Sequence, residues 1–204
     1  MSTFDRSRYE LSLFIHPIPR FQNPAGWGFT FPPEHGKLSL ILFTTTRTGD
    51  DRTMNRPPML ISACLMGIEC RYDGCGQALP ELDALMTLCQ LIPVCPEQLG
   101  GLPTPRTPSE RRCGRVVTRD GADVTDAFRR GAAQACRIAR LYGVRLALLK
   151  ARSPSCGHGE IYDGSFTGRR VPGSGVTAEA LAAMGVAVYS EADTEALIDA
   201  IKME

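Results

Sequence analysis

Three of the eight cysteines, Cys64, Cys95 and Cys156, lie in segments whose composition is typical of a binding site. Each segment is rich in Gly, Pro and polar side chains, which shape backbone around a ligand and add little apolar burial. Cys64 opens the first segment, Cys95 opens the second, and Cys156 lies near the end of the third. The segments are 64–76, 95–106 and 152–157.

A set of three thiolates suits a soft metal. Zinc would need a fourth protein ligand in a structural site, or a water in a catalytic one. A cubane iron–sulfur cluster held by three cysteines would leave one iron open to a substrate. Spacing does not separate these options, because the sequence has no C-x-x-C pair. Three ordinary loop thiols are the alternative to both, and we leave Cys70 outside the metal set.

Alternating strands and helices are predicted from Met59 onward, because apolar runs of strand length alternate with segments of helical period. This alternation implies right-handed crossovers and a mostly parallel sheet, in a three-layer, Rossmann-like α/β domain. The predicted strands are 59–63, 91–94, 144–149 and 186–189, with a further short one at 115–118, and the predicted helices are 81–90, 123–142, 176–184 and 194–202.

The three cysteine segments each follow a predicted strand. Cys64 comes directly after the first strand, Cys95 directly after the second, and Cys156 in the loop that leaves 144–149. In open parallel sheets, ligands bind outside the carboxyl ends of the strands, near the point where strand order reverses. We therefore expect the three thiols to converge on one crevice, although more than 30 residues of chain separate each from the next.

Residues 1–58 differ from the rest of the chain. They contain seven prolines and the only tryptophan, and they show no sustained helical or strand period. This composition predicts an irregular extension before a domain at 59–204. Met54 stands just before the first strand, so a mis-assigned start codon is the other interpretation of these residues.

Composition excludes several classes of function. The net charge is +1, from 23 basic and 22 acidic residues, which predicts no strong attraction to nucleic acid or to an anionic membrane. Transfer RNA is therefore not expected as a partner without a further domain. No apolar run near the N-terminus is long enough for a membrane span or patterned as a secretory signal, so we expect a cytoplasmic protein with reduced thiols.

Several long motifs, in this order, resemble the DUF523 family, which includes the thiouracil desulfidases. The resemblance runs from about Leu60 to Glu191, and residues 1–58 have no counterpart in it. The motifs are Ser62-Ala63-Cys64-Leu65-Met66-Gly67, Cys70-Arg71-Tyr72-Asp73-Gly74, Val94-Cys95-Pro96-Glu97, Arg152-Ser153-Pro154-Ser155-Cys156-Gly157 and Val171-Pro172-Gly173-x-Gly175-Val176-Thr177-Ala178.

The resemblance implies a specific chemistry. Cys64, Cys95 and Cys156 would hold a [4Fe-4S] cluster, Glu97 would be the acid/base residue, and Ser153 would be the active-site serine. The substrate would be a small thiolated pyrimidine or nucleoside, desulfurated without net redox change. A non-catalytic iron–sulfur or zinc module, such as a redox sensor or sulfur carrier, is the alternative. The sequence makes no prediction of oligomeric state.

Overall fold

The structure, a computed structural model, describes residues 56–202. The predicted extension, residues 1–58, lies outside the described residues except for its last three, so its interpretation stays a prediction. In chain order the strands are β1 (Pro58–Ser62), β2 (Gln90–Val94), β3 (Ser109–Arg112), β4 (Arg115–Thr118), β5 (Leu146–Leu149), β6 (Glu160–Tyr162), β7 (Arg170–Pro172) and β8 (Ala187–Ser190), and the helices are α1 (Leu82–Leu88), α2 (Pro96–Leu99), α3 (Thr125–Tyr142), α4 (Val176–Ala182) and α5 (Thr194–Lys202).

Four strands form one parallel sheet in the order β2-β1-β5-β8. The chain passes from β1 to β2 on one side, then crosses back over β1 to β5, so the strand order reverses between β1 and β5. Leu146 to Leu149 are all buried, as expected for an inner strand that is covered on both faces. The carboxyl ends of β1 and β5 therefore flank the topological switch point.

Helices cover both faces of this sheet, which confirms the predicted three-layer α/β fold. Alternate residues of a strand point to opposite faces. Ile61 and Leu148 accordingly pack with Leu85 and Leu197 of α1 and α5. On the other face the core contains Leu60, Ala147 and Leu149 together with Ala139 of α3 and Leu181 of α4.

Two antiparallel hairpins lie outside the main sheet, β3 with β4 and β6 with β7. The predicted strand at 115–118 is present as β4, but it pairs with β3. Strands β3, β6 and β7 and the short helix α2 were not predicted. The predicted helix 194–202 is confirmed with its bounds, and Gly143 ends α3 in the left-handed conformation, with φ of 63°.

Helix α2 is held against α3 by direct contact between their backbones. A Cβ atom added at Gly131 of α3 would lie 1.8 Å from the carbonyl oxygen of Pro96, and one added at Gly100 would lie 2.1 Å from the carbonyl oxygen of Ala127. Only glycine allows two backbones to approach so closely. Because α2 starts directly after Cys95, this contact fixes the segment that carries Cys95 and Glu97.

We predict that Gly131→Ala destabilises the protein by about 1–3 kcal/mol, since the added methyl group must push α2 away from α3. Denaturant unfolding measures the change in free energy. The matched control is Gln134→Ala, at an exposed position of the same helix, for which we expect a change within about 0.5 kcal/mol. Equal stability of the Gly131→Ala variant and the wild type would contradict the close contact.

None of the helices within residues 56–202 has the length and apolar character needed to cross a membrane.

Candidate functional site

A cavity of about 650 Å³ lies at the carboxyl edge of the sheet, a size typical of small-molecule sites. Its wall includes residues that follow β1, β2, β5 and β8, the four strands of the main sheet. The structure brings together every residue that the sequence predicted for the site. Cys64, Cys95, Cys156, Glu97 and Ser153 all line this cavity.

Cys70 lines the same cavity and is buried beside Cys95. Its carbonyl oxygen accepts a hydrogen bond from the Cys95 thiol, with the sulfur and oxygen 3.5 Å apart. Burial raises the pKa of the Cys70 thiol to about 12, and the neighbouring Cys95 and Cys64 thiols add to the shift. Cys70 is therefore a direct neighbour of the predicted set.

The thiols of the predicted set influence one another electrostatically. Burial raises the pKa of Cys64 from its ordinary 9.0 to about 11, and Cys95 adds to the shift. Burial also raises the pKa of Cys156, against the opposing effect of a hydrogen bond with the Ser62 hydroxyl. Without a positive partner, these groups favour the neutral thiol. A metal centre supplies that charge, because a coordinating thiol is deprotonated outright.

The donor set fits a cluster better than a single ion. Within residues 56–202, no three His, Cys, Asp or Glu side chains are grouped as ligands of one metal ion. A tetrahedral zinc ion, with Zn–S bonds of about 2.3 Å, would require thiolates in close mutual contact. Cysteines that hold a cubane bind different irons and stand further apart. Three thiols that line one cavity, and that the described part of the chain does not group around a single ion, match the larger cofactor.

Ser62 is a site residue that was not predicted from the sequence. Its hydroxyl oxygen accepts a hydrogen bond from the Lys150 amide at 2.9 Å, and its hydroxyl also hydrogen-bonds with the Cys156 thiol. Because the amide occupies the oxygen, the hydroxyl proton is free to point at the sulfur. A signal was present in the sequence, because Ser62 is the one polar residue of an apolar strand and stands two positions before Cys64.

Glu97 is held by a buried arginine. Arg106 Nε donates to Glu97 Oε2 at 2.7 Å, and the Arg106 side chain is only 7% exposed. The same guanidinium donates to the carbonyl oxygens of Cys70 and Pro103, each at 3.1 Å. Arg106 therefore joins the first two cysteine segments and orients one carboxylate oxygen of Glu97, leaving the other for a second partner.

That second partner is Ser153, whose hydroxyl lies 3.4 Å from Glu97 Oε1. The Ser153 oxygen accepts hydrogen bonds from the amides of Ser155 and Cys156, both at 3.1 Å. With its lone pairs engaged by two N–H groups, the hydroxyl directs its proton toward Glu97. Ser153 therefore orders both the turn that carries Cys156 and the free oxygen of the carboxylate.

The start of α4 supports the Cys156 turn from behind. Thr177 donates its amide to the Ser155 carbonyl at 2.8 Å, and the hydroxyls of Ser155 and Thr177 are 2.9 Å apart. A Cβ atom at Gly175 would lie 2.3 Å from the Ser155 carbonyl group. The motif 171–178 thus packs against the motif 152–157 and supports the turn that carries Cys156.

The comparisons with known proteins identify the family of this chain. A model of the 2-thiouracil desulfurase family matches residues 59–193. The chain belongs to this family. It is 41% identical over 143 residues to the uncharacterised protein YbbK of Bacillus subtilis (strain 168), covering 65% of this chain and 95% of that protein. It is also similar to the solved structure of the [4Fe-4S]-dependent thiouracil desulfidase TudS, with TM-score 0.70, 43% identity, and coverage of 73% of this chain and 100% of that one.

In this member of the 2-thiouracil desulfurase family, an ion pair closes the edge of the cavity at β5 and β8. Glu191 accepts hydrogen bonds from Lys150 Nζ and from the Ala151 amide. Both charged side chains line the cavity, and Lys150 lowers the pKa of Cys64 while Glu191 raises it. Neither residue was predicted for the site, although each directly follows a strand of the parallel sheet.

We predict that Cys64 of the metal-free protein is alkylated slowly at pH 8. A pKa of about 11 leaves about a hundredfold less thiolate than a pKa of 9.0, and the thiolate is the nucleophile. The exposed Cys75 and Cys113 should be labelled first. Timed iodoacetamide labelling with peptide mass spectrometry measures the order, and labelling in denaturant is the control. Rapid labelling of Cys64 in the folded protein would contradict the predicted burial.

Proposed function

We propose that this chain is an iron–sulfur-dependent desulfidase that converts the C=S group of a thiolated pyrimidine, such as 2-thiouracil, into C=O and releases sulfide. One observation carries the proposal. Three thiols and an oriented carboxylate line the same cavity in a chain of the 2-thiouracil desulfurase family. A thiocarbonyl substrate needs both, because its sulfur is soft and its carbon must be attacked by water.

Cys64, Cys95 and Cys156 would hold a [4Fe-4S] cluster in this proposal. The named cofactor of TudS and the three-thiol donor set support it. When bound, the cluster supplies an open iron, a Lewis acid with affinity for soft sulfur. The hydrogen bond from Ser62 to Cys156 favours the thiolate form that a ligand requires.

Glu97 would act as the acid/base residue. Arg106 fixes one carboxylate oxygen, and the other faces Ser153. In this role Glu97 accepts a proton from the water that attacks the thiocarbonyl carbon and returns it as the C–S bond breaks. The overall reaction consumes the thiocarbonyl compound and one water, yields the carbonyl compound and hydrogen sulfide, and changes no oxidation state.

Ser153 would fix the position of Glu97 relative to the turn that carries Cys156. Its oxygen already accepts two amide hydrogen bonds, so its hydroxyl proton has one preferred direction. This arrangement supports a positioning role next to the reacting groups. A polar edge of the pyrimidine that enters beside Glu97 would meet the same hydroxyl.

We further propose that the protein acts in the cytoplasm on a free thiolated base or nucleoside. A net charge of +1 supports a small substrate over transfer RNA, since unaided binding of RNA depends on Lys and Arg contacts to phosphates. The catalytic unit would be residues 59–204. Residues 1–58 would be an irregular extension or the result of a mis-assigned start codon. A non-catalytic sensor or carrier is not favoured, because it has no need of the oriented carboxylate.

We predict that full-length protein purified without oxygen and reconstituted with iron and sulfide contains about four irons and four acid-labile sulfides per chain. Cys64→Ala, Cys95→Ala and Cys156→Ala should each lose the cluster absorbance. Cys113→Ala is the matched control, since Cys113 is exposed and outside the cavity, and it should keep the full iron content. Zinc in place of iron after reconstitution would refute the proposal.

We predict that Glu97→Gln lowers kcat for 2-thiouracil by about 10²–10⁴, the usual contribution of a general acid/base. Glutamine keeps an acceptor for Arg106 Nε but cannot take the proton. Sulfide release and uracil formation report the activity, while iron content and absorbance should remain unchanged. Glu69→Gln, at an exposed position outside the cavity, should retain full activity. Wild-type turnover by Glu97→Gln would remove Glu97 from the mechanism.

A further inference from the structure

The two hairpins contribute a wall of the cavity that plays no part in the chemistry described above. Glu110 lies in β3, Arg119 directly follows β4, Tyr162 ends β6, and Phe166 lies in the turn between β6 and β7. All four residues line the same cavity as the cysteines. The wall therefore meets whatever small molecule approaches the thiols.

Phe166 has an unusual backbone conformation. Its φ is 59°, in the left-handed region that bulky side chains rarely adopt. Such strained positions cluster at ligand-binding sites and persist only where the surroundings enforce them. The sequence places no glycine or asparagine at this position, so the aromatic ring is present despite a backbone that disfavours it.

Glu110 is the group that enforces this conformation. Its side chain is buried, and its Oε2 atom accepts hydrogen bonds from the Gly164 amide at 2.9 Å and the Phe166 amide at 3.0 Å. Burying a carboxylate is costly unless amides or cations compensate it. The structure uses a buried charge to hold one turn, and nothing in the proposed desulfidation chemistry requires that charge.

The Phe166 ring also has a defined neighbour on one side. The Arg119 guanidinium lies over the ring, with its central carbon 5.9 Å from the centroid. Phe166 and Arg119 both border a second cavity of about 500 Å³ between the hairpins, so they separate it from the cavity that contains the thiols. Because Arg119 covers one face of a ring that lines the cavity of the thiols, the other face is the candidate surface for a planar partner.

We propose that Phe166 binds the substrate by stacking on its planar thiocarbonyl heterocycle, and that Glu110 is the positioning residue that holds Phe166 in place. The inference rests on the proposed function and extends it from the reacting groups to substrate recognition. Base–aromatic stacking depends on the π face and not on the pattern of ring substituents. Phe166 therefore contributes affinity for the pyrimidine ring, in substrate and product alike.

The test uses full-length, cluster-loaded enzyme. Phe166→Asn removes the ring but keeps a residue that tolerates the left-handed conformation. We expect KM for 2-thiouracil and the inhibition constant of uracil, a non-reacting pyrimidine, to rise about tenfold. Because the ring binds substrate and transition state equally, kcat should stay within about twofold. Phe166→Tyr retains the ring and should restore both constants.

Glu110 is tested through a double-mutant cycle. Glu110→Ala releases the turn and should raise KM, whereas Glu110→Gln keeps an acceptor oxygen and should behave close to wild type. In the double variant Glu110→Ala/Phe166→Asn, the rise in KM should be no greater than in Phe166→Asn alone, because Glu110 acts through the ring. Additive effects would show that Glu110 is not the positioning residue of Phe166.

Two controls separate this inference from the proposed function. A wild-type enzyme that carries its cluster but releases no sulfide from 2-thiouracil would refute the proposed function itself. An active wild type whose KM and uracil inhibition constant are unchanged by Phe166→Asn overturns the stacking role alone. If the Asn variant folds poorly, as judged by iron content and circular dichroism, Phe166→Gly replaces it in this comparison, because glycine relaxes the turn completely.

The lining of the cavity includes a competing ring, Tyr72, with the Arg71 guanidinium 5.9 Å from its centroid. Tyr72 is 43% exposed, and among residues 56–202 no buried carboxylate holds its backbone. We expect Tyr72→Leu to leave KM within about twofold of the wild type. A rise in KM for Tyr72→Leu without a rise for Phe166→Asn would place the stacking surface on Tyr72 and contradict the inference.

Discussion

The strand order β2-β1-β5-β8 is the constraint on which the site depends. Because the order reverses between β1 and β5, the chain leaves neighbouring strands in opposite directions, and a crevice opens at their carboxyl ends. Cys64 and Cys156 follow the strands on either side of this reversal, β1 and β5. Cys95 follows the adjacent strand β2. The three cysteines thereby share a cavity although they are far apart in the chain and form no C-x-x-C pair.

The buried thiols Cys64, Cys70 and Cys156 need a nearby positive charge to reach the thiolate form at neutral pH. Burial and mutual proximity raise the pKa values of Cys64, Cys70 and Cys156, so the isolated site favours neutral thiols. A cationic metal centre reverses this preference, and part of its binding free energy stabilises the thiolates. Ser62 and Lys150 act in the same direction on Cys156 and Cys64. The electrostatics therefore support the proposal that these thiols form a ligand set whose counter-charge is a metal centre.

The sequence predicted the main sheet and its helices because their signals are local. Strands β1, β2, β5 and β8 are apolar runs, and α3 and α5 have a clear helical period. The hairpins were missed because β3 reads Ser-Glu-Arg-Arg and β7 reads Arg-Val-Pro, with no apolar alternation, so cross-strand pairing and not burial determines them. Strand β4 was predicted, but its partner β3 was not, so the sequence assigned β4 to no hairpin.

The candidate site divides in the same way. Cys64, Cys95, Cys156, Glu97 and Ser153 were found because they follow strands or stand in recognisable motifs. Ser62 and Arg106 depend on hydrogen bonds between segments that are far apart in the chain, and such contacts leave no periodic signal. The role of Glu110 is even less visible, because its partners are two backbone amides more than 50 residues away. Sequence patterns therefore identify the candidate reacting groups more readily than most of the groups that would position them.

The cavity combines two kinds of structure with different physical demands. The wall that carries the thiols is built on the parallel sheet, and close backbone contacts at Gly131 and Gly175 limit the movement of the segments that carry Cys95, Glu97 and Cys156. A second wall is built on two short hairpins that lie outside the main sheet. The family match over 59–193 includes both walls. The proposed reacting groups and the proposed stacking surface therefore stand on different elements, so a substitution in the hairpins can change substrate binding without moving the thiols or Glu97.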